Sequence, residues 1–155
     1  MYRNTKEILE YIKKLGYPVE IPEGIKSGPP VKENLLTSSK EIISYIQDRI
    51  NSTDGTVGVI AKNKEDIEPL EKLFAGNKKV HITTMAQSQG VEFDIVCLIG
   101  IKKEIFSTEH LATFPADFIE EKKKIQRDLL YVALTRAISE LHVIGNSTLS
   151  EILPI

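Results

Sequence analysis

The sequence predicts an α/β protein with a parallel sheet and helices on both faces, and three observations indicate this fold. The length of 155 residues is that of one ordinary domain. Segments rich in β-branched residues alternate with segments whose apolar residues repeat at helical spacing. One segment, residues 93–99, is almost wholly apolar, as in a strand that is covered on both faces. We therefore expect residues 1–155 to form a single domain.

Composition excludes several classes of protein. Hydrophobic residues make up 41% of the chain and charged residues 27%, which excludes disorder along the whole chain. Twenty basic residues against 22 acidic ones give a net charge of −2, so any contact with nucleic acid must be local. Cys97 is the only cysteine and cannot form an internal disulfide. No apolar run approaches the roughly 20 residues of a membrane span, and no signal peptide opens the chain, so we expect a cytoplasmic protein without a membrane partner.

Capping residues and apolar spacing predict the elements of the first part of the chain. Asn4 is the expected N-cap of a first helix that ends at Gly16. Residues 16–30 hold four of the seven prolines and are expected to form a connector without a core of its own. A strand near residues 31–36 and a helix capped by Ser38 follow. Because the first helix begins almost at the first residue, we expect the chain to be part of a longer protein.

The remaining elements follow the same alternation. Pro69 leaves open whether the third helix is kinked or begins after its candidate cap. The expected elements are a strand at 56–61, a helix from Asn63 to Gly76, strands at 79–84 and 93–99, an irregular stretch at 101–115, a helix at 116–137 and a strand at 140–144.

Several common catalytic motifs are missing. The sequence has no G-x-x-x-x-G-K-[ST] phosphate loop, no G-x-G-x-x-G, no G-x-S-x-G and no pair of Cys or His at metal-binding spacing. We therefore predict no metal site and no nucleotide hydrolysis by this chain alone. The isolated histidines are expected to be ordinary strand or loop residues; they are His81, His110 and His142.

A polar turn follows the third predicted strand. In open α/β sheets, ligands bind beyond the carboxyl ends of the strands, where backbone N–H groups are free. Gly90 would permit close approach of the backbone. These residues alone do not distinguish a binding turn from an ordinary solvated turn; the hydrogen-bonding side chains are those of Thr84, Gln87, Ser88 and Gln89.

Arg136 lies at the end of a largely apolar predicted helix, and two interpretations remain open. A cation at a helix C-terminus is favourable by about 0.3 to 1 kcal/mol, which is a purely structural role. Alternatively, the planar guanidinium is presented to a phosphate, whose oxygens it matches.

Three segments in order resemble the motifs of one family. G-V-E-F-D-I-V at 90–96, within a motif V at 84–96, and L-L-Y-V-A-L-T-R-A at 129–137, within a motif VI at 127–137, are similar to those of superfamily 1 helicases of the UvrD/Rep type. Y-R-N-T at 2–5 resembles motif IV, usually Y-R-S-T. The resemblance implies the second, C-terminal RecA-like motor domain: a P-loop NTPase-like sheet without its own phosphate loop. It also implies that the first motor domain and the large accessory insertion of the family are absent here.

The resemblance implies a role for individual residues at a nucleotide site. Arg136 and Arg3 would be the arginine fingers that stabilise charge on the transferred phosphoryl group. Tyr2 would stack on adenine, Glu92 would accept a hydrogen bond from the ribose hydroxyl, and Gly90 would let the backbone approach the nucleotide. The complete protein would use ATP and Mg²⁺, while this fragment alone would bind neither.

The turn after the third strand would hold single-stranded DNA through Thr84, Gln87, Ser88 and Gln89. The family commonly has His and Lys where this chain has Ala86 and Gln89, which weakens the expected grip on DNA. The resemblance therefore supports nucleotide sensing better than DNA binding.

Further departures lie just upstream of motif VI, where Ile125 and Gln126 replace a usual acidic pair, and at its start, where Asp128 replaces a usual arginine. These changes suggest a divergent branch. The implied partners are the N-terminal RecA-like domain of the same parent chain and single-stranded DNA, with RNA polymerase or repair factors as further candidates. The alternative is a non-catalytic RecA-like docking module in a protein associated with nucleic acid or RNA polymerase. The lysines at 122–124 are expected to form a solvated helix face.

Overall fold

The computed structural model describes residues 3–155, and all five of its strands join one parallel sheet. The strands are β1 (Lys32–Leu35), β2 (Val57–Ala61), β3 (Val80–Thr84), β4 (Phe93–Ile101) and β5 (Ala137–Gly145). Their order in the sheet is β1-β5-β4-β2-β3. The helices are α1 (Lys6–Lys14), α2 (Ser39–Asn51), α3 (Lys64–Leu73), α4 (Ala116–Leu134) and α5 (Leu149–Ile152), with 3₁₀ turns at Ala86–Ser88 and Glu109–Leu111. Tyr2 lies outside the described residues.

Helices cover both faces of the sheet, as the sequence predicts. Residues of β4 alternate between the two faces: Val96 and Leu98 pack with the buried side chains of α1 and α4, whereas Ile95 and Cys97 pack with α2 and α3. Both faces of the central strands are therefore apolar, which is why the 93–99 segment reads as a continuous apolar run. None of the described helices has the length and apolarity needed to cross a membrane.

The first helix is capped by a different residue from the one predicted. Thr5, not Asn4, is the N-cap, and its Oγ1 accepts a hydrogen bond from the backbone N of Ile8 at 3.3 Å. Both residue types suit an N-cap, so local propensity could not separate them. The Asn4 side chain is instead buried and bonds to a distant segment. Glu7 also departs from a capping box, because its carboxylate accepts from the backbone N of Gly28 at 2.7 Å.

The long helix ends three residues earlier than predicted, and the last strand begins three residues earlier. α4 stops at Leu134, Thr135 is its C-cap, and β5 starts at Ala137. The backbone N of Phe93 donates to the carbonyl of Arg136 at 2.9 Å. Residues from 136 onward therefore pair with β4 and do not extend the helix. Arg136 is therefore the single residue between the helix cap and the strand.

Other predicted starts agree with the structure to within one residue, although α3 ends at Leu73 and not at Gly76, and β4 runs two residues further, to Ile101. Ser38 caps α2: the Glu41 backbone N donates to its Oγ at 3.1 Å, and its Oγ donates to the Glu41 carboxylate at 2.9 Å. α3 begins directly after Asn63 with Pro69 inside it, so the alternative of a later start is wrong. The short helix α5 was not predicted.

A buried histidine makes the stability of the fold depend on pH. His142 Nδ1 lies 2.6 Å from Tyr45 Oη, and its Nε2 lies 3.0 Å from a Glu140 carboxylate oxygen. Burial lowers the pKa of His142 below its ordinary value of 6.5; Glu140 acts in the opposite direction, and Arg49 and Lys32 add to the lowering. The pKa of His142 is thus lower in the folded state than in the unfolded state, so the folded protein favours the neutral ring.

We expect the free energy of unfolding to fall as the pH drops below about 6.5, because unfolding then lets His142 take up a proton. Chemical denaturation at about pH 7.5 and about pH 5.5 measures this loss. In His142→Gln the pH dependence should be smaller, whatever the stability of that variant at neutral pH. An equal pH dependence in the two proteins would contradict the prediction.

Candidate functional site

Three charged residues lie at the amino ends of β4 and β5. Glu92 directly precedes β4 and Arg136 directly precedes β5, and the first residues of these neighbouring strands, Phe93 and Ala137, are register partners. Arg3 joins them from the start of the chain, with its Nη1 3.5 Å from a Glu92 carboxylate oxygen. Residues far apart in sequence thus share one edge of the sheet.

The Arg136 guanidinium is held at this edge and not in the apolar interior. Its Nε donates to Val132 O at 2.8 Å, and its Nη1 donates to Val91 O at 3.1 Å. Its Nη2 donates to Thr135 Oγ1 at 3.1 Å. A guanidinium carries five N–H donors, so two remain for a ligand. The group is therefore oriented by protein contacts without being saturated by them.

The ion pair between Arg3 and Glu92 is accessible to a ligand. The Arg3 side chain is 65% exposed and the Glu92 side chain 31% exposed. Ion pairs in contact with water contribute little stability, so a phosphate or a hydroxyl can replace either partner at small cost.

The polar turn has one buried member. The Thr84 hydroxyl accepts from the backbone N of Gln87 at 3.2 Å, which leaves its own proton free, and Gln87 and Gln89 are exposed. Ser88, in contrast, is fully buried, and its hydroxyl donates to Met85 O at 2.7 Å. This geometry uses the Ser88 side chain to stabilise the turn and does not present it to a ligand.

Gly90 is required by its backbone angle. Its φ is 87°, a value that side chains other than glycine rarely adopt. A Cβ at this position would meet nothing within 4 Å, so no close packing within the described residues demands a glycine. The angle turns the chain so that Val91 O faces Arg136.

The turn crosses the sheet from the carboxyl end of β3 to the amino end of β4. A groove of about 580 Å³ runs beside it, and Gln87 and Glu92 both line this groove. Its floor includes His81 on β3, whose ring lies 5.4 Å from that of Phe93. The groove therefore runs between Gln87, which is predicted to bind DNA, and Glu92, which is predicted to bind nucleotide.

Lys62 is a basic residue beside the polar turn that the sequence interpretation missed. It directly follows β2, whose last residue, Ala61, is the register partner of Thr84. Its Nζ donates to Ile105 O at 2.8 Å and lies 5.8 Å from the centre of the Phe106 ring, so the ammonium is directed toward the segment after β4 and keeps two further donors. Burial, together with Lys102, lowers the pKa of Lys62. A lysine directly after a central strand is the sequence signal that could have identified it.

The divergent positions just upstream of motif VI and at its start lie away from Arg136. Gln126 Nε2 donates to Phe106 O at 3.1 Å, and Asp128 pairs with Lys124 at 2.8 Å. Lys123 pairs with Glu120 at 3.7 Å on the same exposed helix face. The side chains of Gln126 and Asp128 therefore bond to groups other than Arg136.

The fold and this edge define a RecA-like domain in which two arginines and a carboxylate face outward beside a polar turn. Residues 34–148 match the model of the UvrD-like helicase C-terminal domain, and the chain belongs to that family. The family predicted from the sequence is thus confirmed.

Two similar proteins agree with this family. The chain is 34% identical over 116 residues to the ATP-dependent DNA helicase PcrA of Leuconostoc citreum, a match that covers 70% of this chain and 14% of that helicase. The fold is similar to that of the C-terminal domain of a possible DNA helicase from Lactobacillus plantarum WCFS1, with a TM-score of 0.68 and 20% identity over 96% of this chain and 91% of that one. The second likeness concerns the fold alone.

Proposed function

We propose that this chain is the C-terminal motor half of an ATP-dependent DNA helicase or translocase, which acts in the cytoplasm with an N-terminal motor domain. The chain would supply two arginine fingers and part of the grip on single-stranded DNA. The observation that carries this proposal is the convergence of Arg3, Glu92 and Arg136 at one accessible edge. Membership of the helicase family supports it.

The residues at this edge fit a nucleotide but not its metal ion. Arg136 keeps two free donors and Arg3 is exposed, so both can bind phosphate oxygens; Glu92 can accept from a ribose hydroxyl. Within residues 3–155 no group of three or more His, Cys, Asp and Glu side chains could hold a metal. ATP and Mg²⁺ would therefore be held mainly by the N-terminal domain, and Tyr2 would stack on adenine. In phosphoryl transfer, such fingers stabilise the charge that develops on the transferred group.

The turn between Thr84 and Glu92 would couple the two ligands. Gln87, Gln89 and Thr84 would contact DNA phosphates, and Val91 O accepts from Arg136 at the other end of the same turn. A movement of Arg136 on ATP binding would therefore displace Val91 and, through the turn, the residues that bind DNA. Closing and opening of the cleft between the motor domains would shift that grip along the strand.

The direct test compares the isolated chain with the complete helicase. We expect the 155-residue chain to show no ATPase activity, because the groups that hold phosphates and Mg²⁺ lie elsewhere. The full-length helicase should hydrolyse ATP faster when single-stranded DNA is added. Hydrolysis by the isolated chain at the rate of the complete enzyme would contradict the proposal.

Lys62 should contribute to the grip on DNA through its charge. In the complete helicase, Lys62→Ala is expected to weaken single-strand binding and to reduce the slope of log K against log salt concentration by about 0.7. Lys40→Ala removes an equally charged, exposed side chain from α2 and is the control. Titrations at several salt concentrations measure both effects, and an unchanged slope would show that Lys62 makes no phosphate contact.

A docking module is the second candidate function, and one surface favours it. Phe114 is 47% exposed, Phe118 38% and Ile125 48%, and they lie on or next to the protruding first half of α4. Ala86 and Gln89 also weaken the DNA site. RNA polymerase or repair factors would be the partners of such a module. A full-length protein without DNA-stimulated ATPase activity would favour this function over the motor.

A further inference from the structure

We propose that Asn4 is a positioning residue that fixes the direction of Arg136 and ties it to Arg3. The side-chain amide of Asn4 donates two hydrogen bonds, to Thr135 O at 2.9 Å and to Ala137 O at 2.7 Å. These carbonyls lie on either side of Arg136. The proposal rests on the proposed function, because Arg136 is the arginine finger in that function.

The side-chain amide of Asn4 bonds to the amino end of β5 on the side that faces away from β4. β1 pairs with β5 only from His142 onward, so within residues 3–155 the amino end of β5 has no strand neighbour on that side. On the opposite side, Phe93 of β4 donates to Arg136 O at 2.9 Å. Asn4 therefore takes the position of a neighbouring strand and holds the backbone of 135–137 from the second side.

Only a carboxamide satisfies this position fully. Asn4 is 4% exposed, and both neighbouring atoms are carbonyl oxygens that need donors. The NH₂ group supplies two donors from one atom, a serine hydroxyl supplies one, and an ionised aspartate supplies none. A serine, the residue that motif IV usually has here, would leave one of the two carbonyls without this donor.

The segment that carries Asn4 is itself fixed, so the two arginines are linked rigidly. Lys6 N donates to Lys26 O at 2.9 Å, and a Cβ on Gly28 would overlap Thr5 Cγ2 at 2.7 Å. Arg3 directly precedes Asn4 in the chain. One side chain thus sets the relative position of the two backbone segments that carry Arg3 and Arg136.

The consequence for Arg136 is directional. Its three hydrogen bonds, to Val132 O, Val91 O and Thr135 Oγ1, require one direction of its Cα–Cβ bond. If residues 135–137 are held from one side only, the backbone can rotate and these bonds no longer form together.

The Nε–Hε NMR signal of Arg136 in the 155-residue chain tests this directly. The chain has four arginines, and the signal that disappears in Arg136→Lys identifies the residue. In Asn4→Ser and Asn4→Ala we expect this signal to shift and its Hε to exchange with water at least about tenfold faster. The effect should be larger for Ala than for Ser, which keeps one donor.

Asn34→Ser is the matched control. It removes an amide hydrogen bond of similar length, 2.9 Å to Tyr45 Oη, at a site in β1. The Arg136 signal should not change in this variant, nor the Arg49 signal in the Asn4 variants. If Asn4→Ala fails to fold, Asn4→Ser gives the result. An unchanged Arg136 signal in folded Asn4 variants would overturn the proposal.

A kinetic measurement in the full-length helicase separates positioning from simple stability. We expect Asn4→Ala, which removes both donors, to lower kcat for ATP by about 10- to 100-fold with little change in KM, because a small misplacement of a catalytic group costs about this much. Normal kcat in Asn4→Ala would overturn the role in catalysis. Normal turnover in Arg136→Ala would instead refute the proposed function, while the NMR result would still report on the role of Asn4.

Discussion

Replacing Arg136 by alanine in the complete helicase should slow ATP turnover by at least about a hundredfold, the range expected for loss of an arginine finger. The guanidinium has two free N–H donors and is directed by bonds to Val132 O, Val91 O and Thr135 Oγ1. Alanine removes both the charge and the fork that match phosphate oxygens. Steady-state kinetics with saturating single-stranded DNA measure the effect, which should fall on kcat.

Two further variants make this result specific. Arg136→Lys keeps a positive charge but not the planar fork, and it should remain strongly impaired. Lys40→Ala removes one exposed charge from α2 and should leave turnover unchanged. Circular dichroism of each variant should show an intact fold, since Arg136 is only half-buried. Near-normal turnover in Arg136→Ala would rule out the finger role.

Replacing Gly145 by alanine should lower the free energy of unfolding by about 3 kcal/mol, at the upper end for overpacking. A Cβ at Gly145 would overlap the backbone carbonyl of Ile101, its register partner in β4. Ile101 O also accepts from Asn146 N at 2.8 Å, so it cannot move away without loss of that bond. The β4–β5 pair must shift, and this is the pair that aligns Glu92 with Arg136.

Gly76→Ala is the matched control for the same change of residue. A Cβ at Gly76 would meet nothing within 4 Å, and its φ is not positive. We expect a change of at most about 1 kcal/mol, in the stabilising direction, because alanine restricts the unfolded chain. Urea denaturation of both variants provides the comparison. Equal stabilities would mean that the β4–β5 pair tolerates the extra methyl group.

The sequence by itself determined the class of fold and the family. The apolar segment at 93–99 predicted a central strand, Ser38 and Glu41 predicted the start of α2, and the order of motifs V and VI indicated a helicase motor domain. These features are local, or depend on short patterns with fixed spacing, and such patterns are visible in one dimension. Arg136 and Glu92 belong to them.

The tertiary structure decided how these residues meet. It placed Asn4 beside residues 135 and 137 instead of at the helix cap, and it buried Ser88. It also set Lys62 beside Thr84. Asn4 bonds to the carbonyls of the remote residues 135 and 137, and Lys62 bonds to the remote Ile105 O. Local propensity cannot predict these two placements, because the deciding hydrogen bonds exist only once the sheet has formed. Ser88 bonds to the nearby Met85 O, and its burial follows from how the turn packs on the sheet.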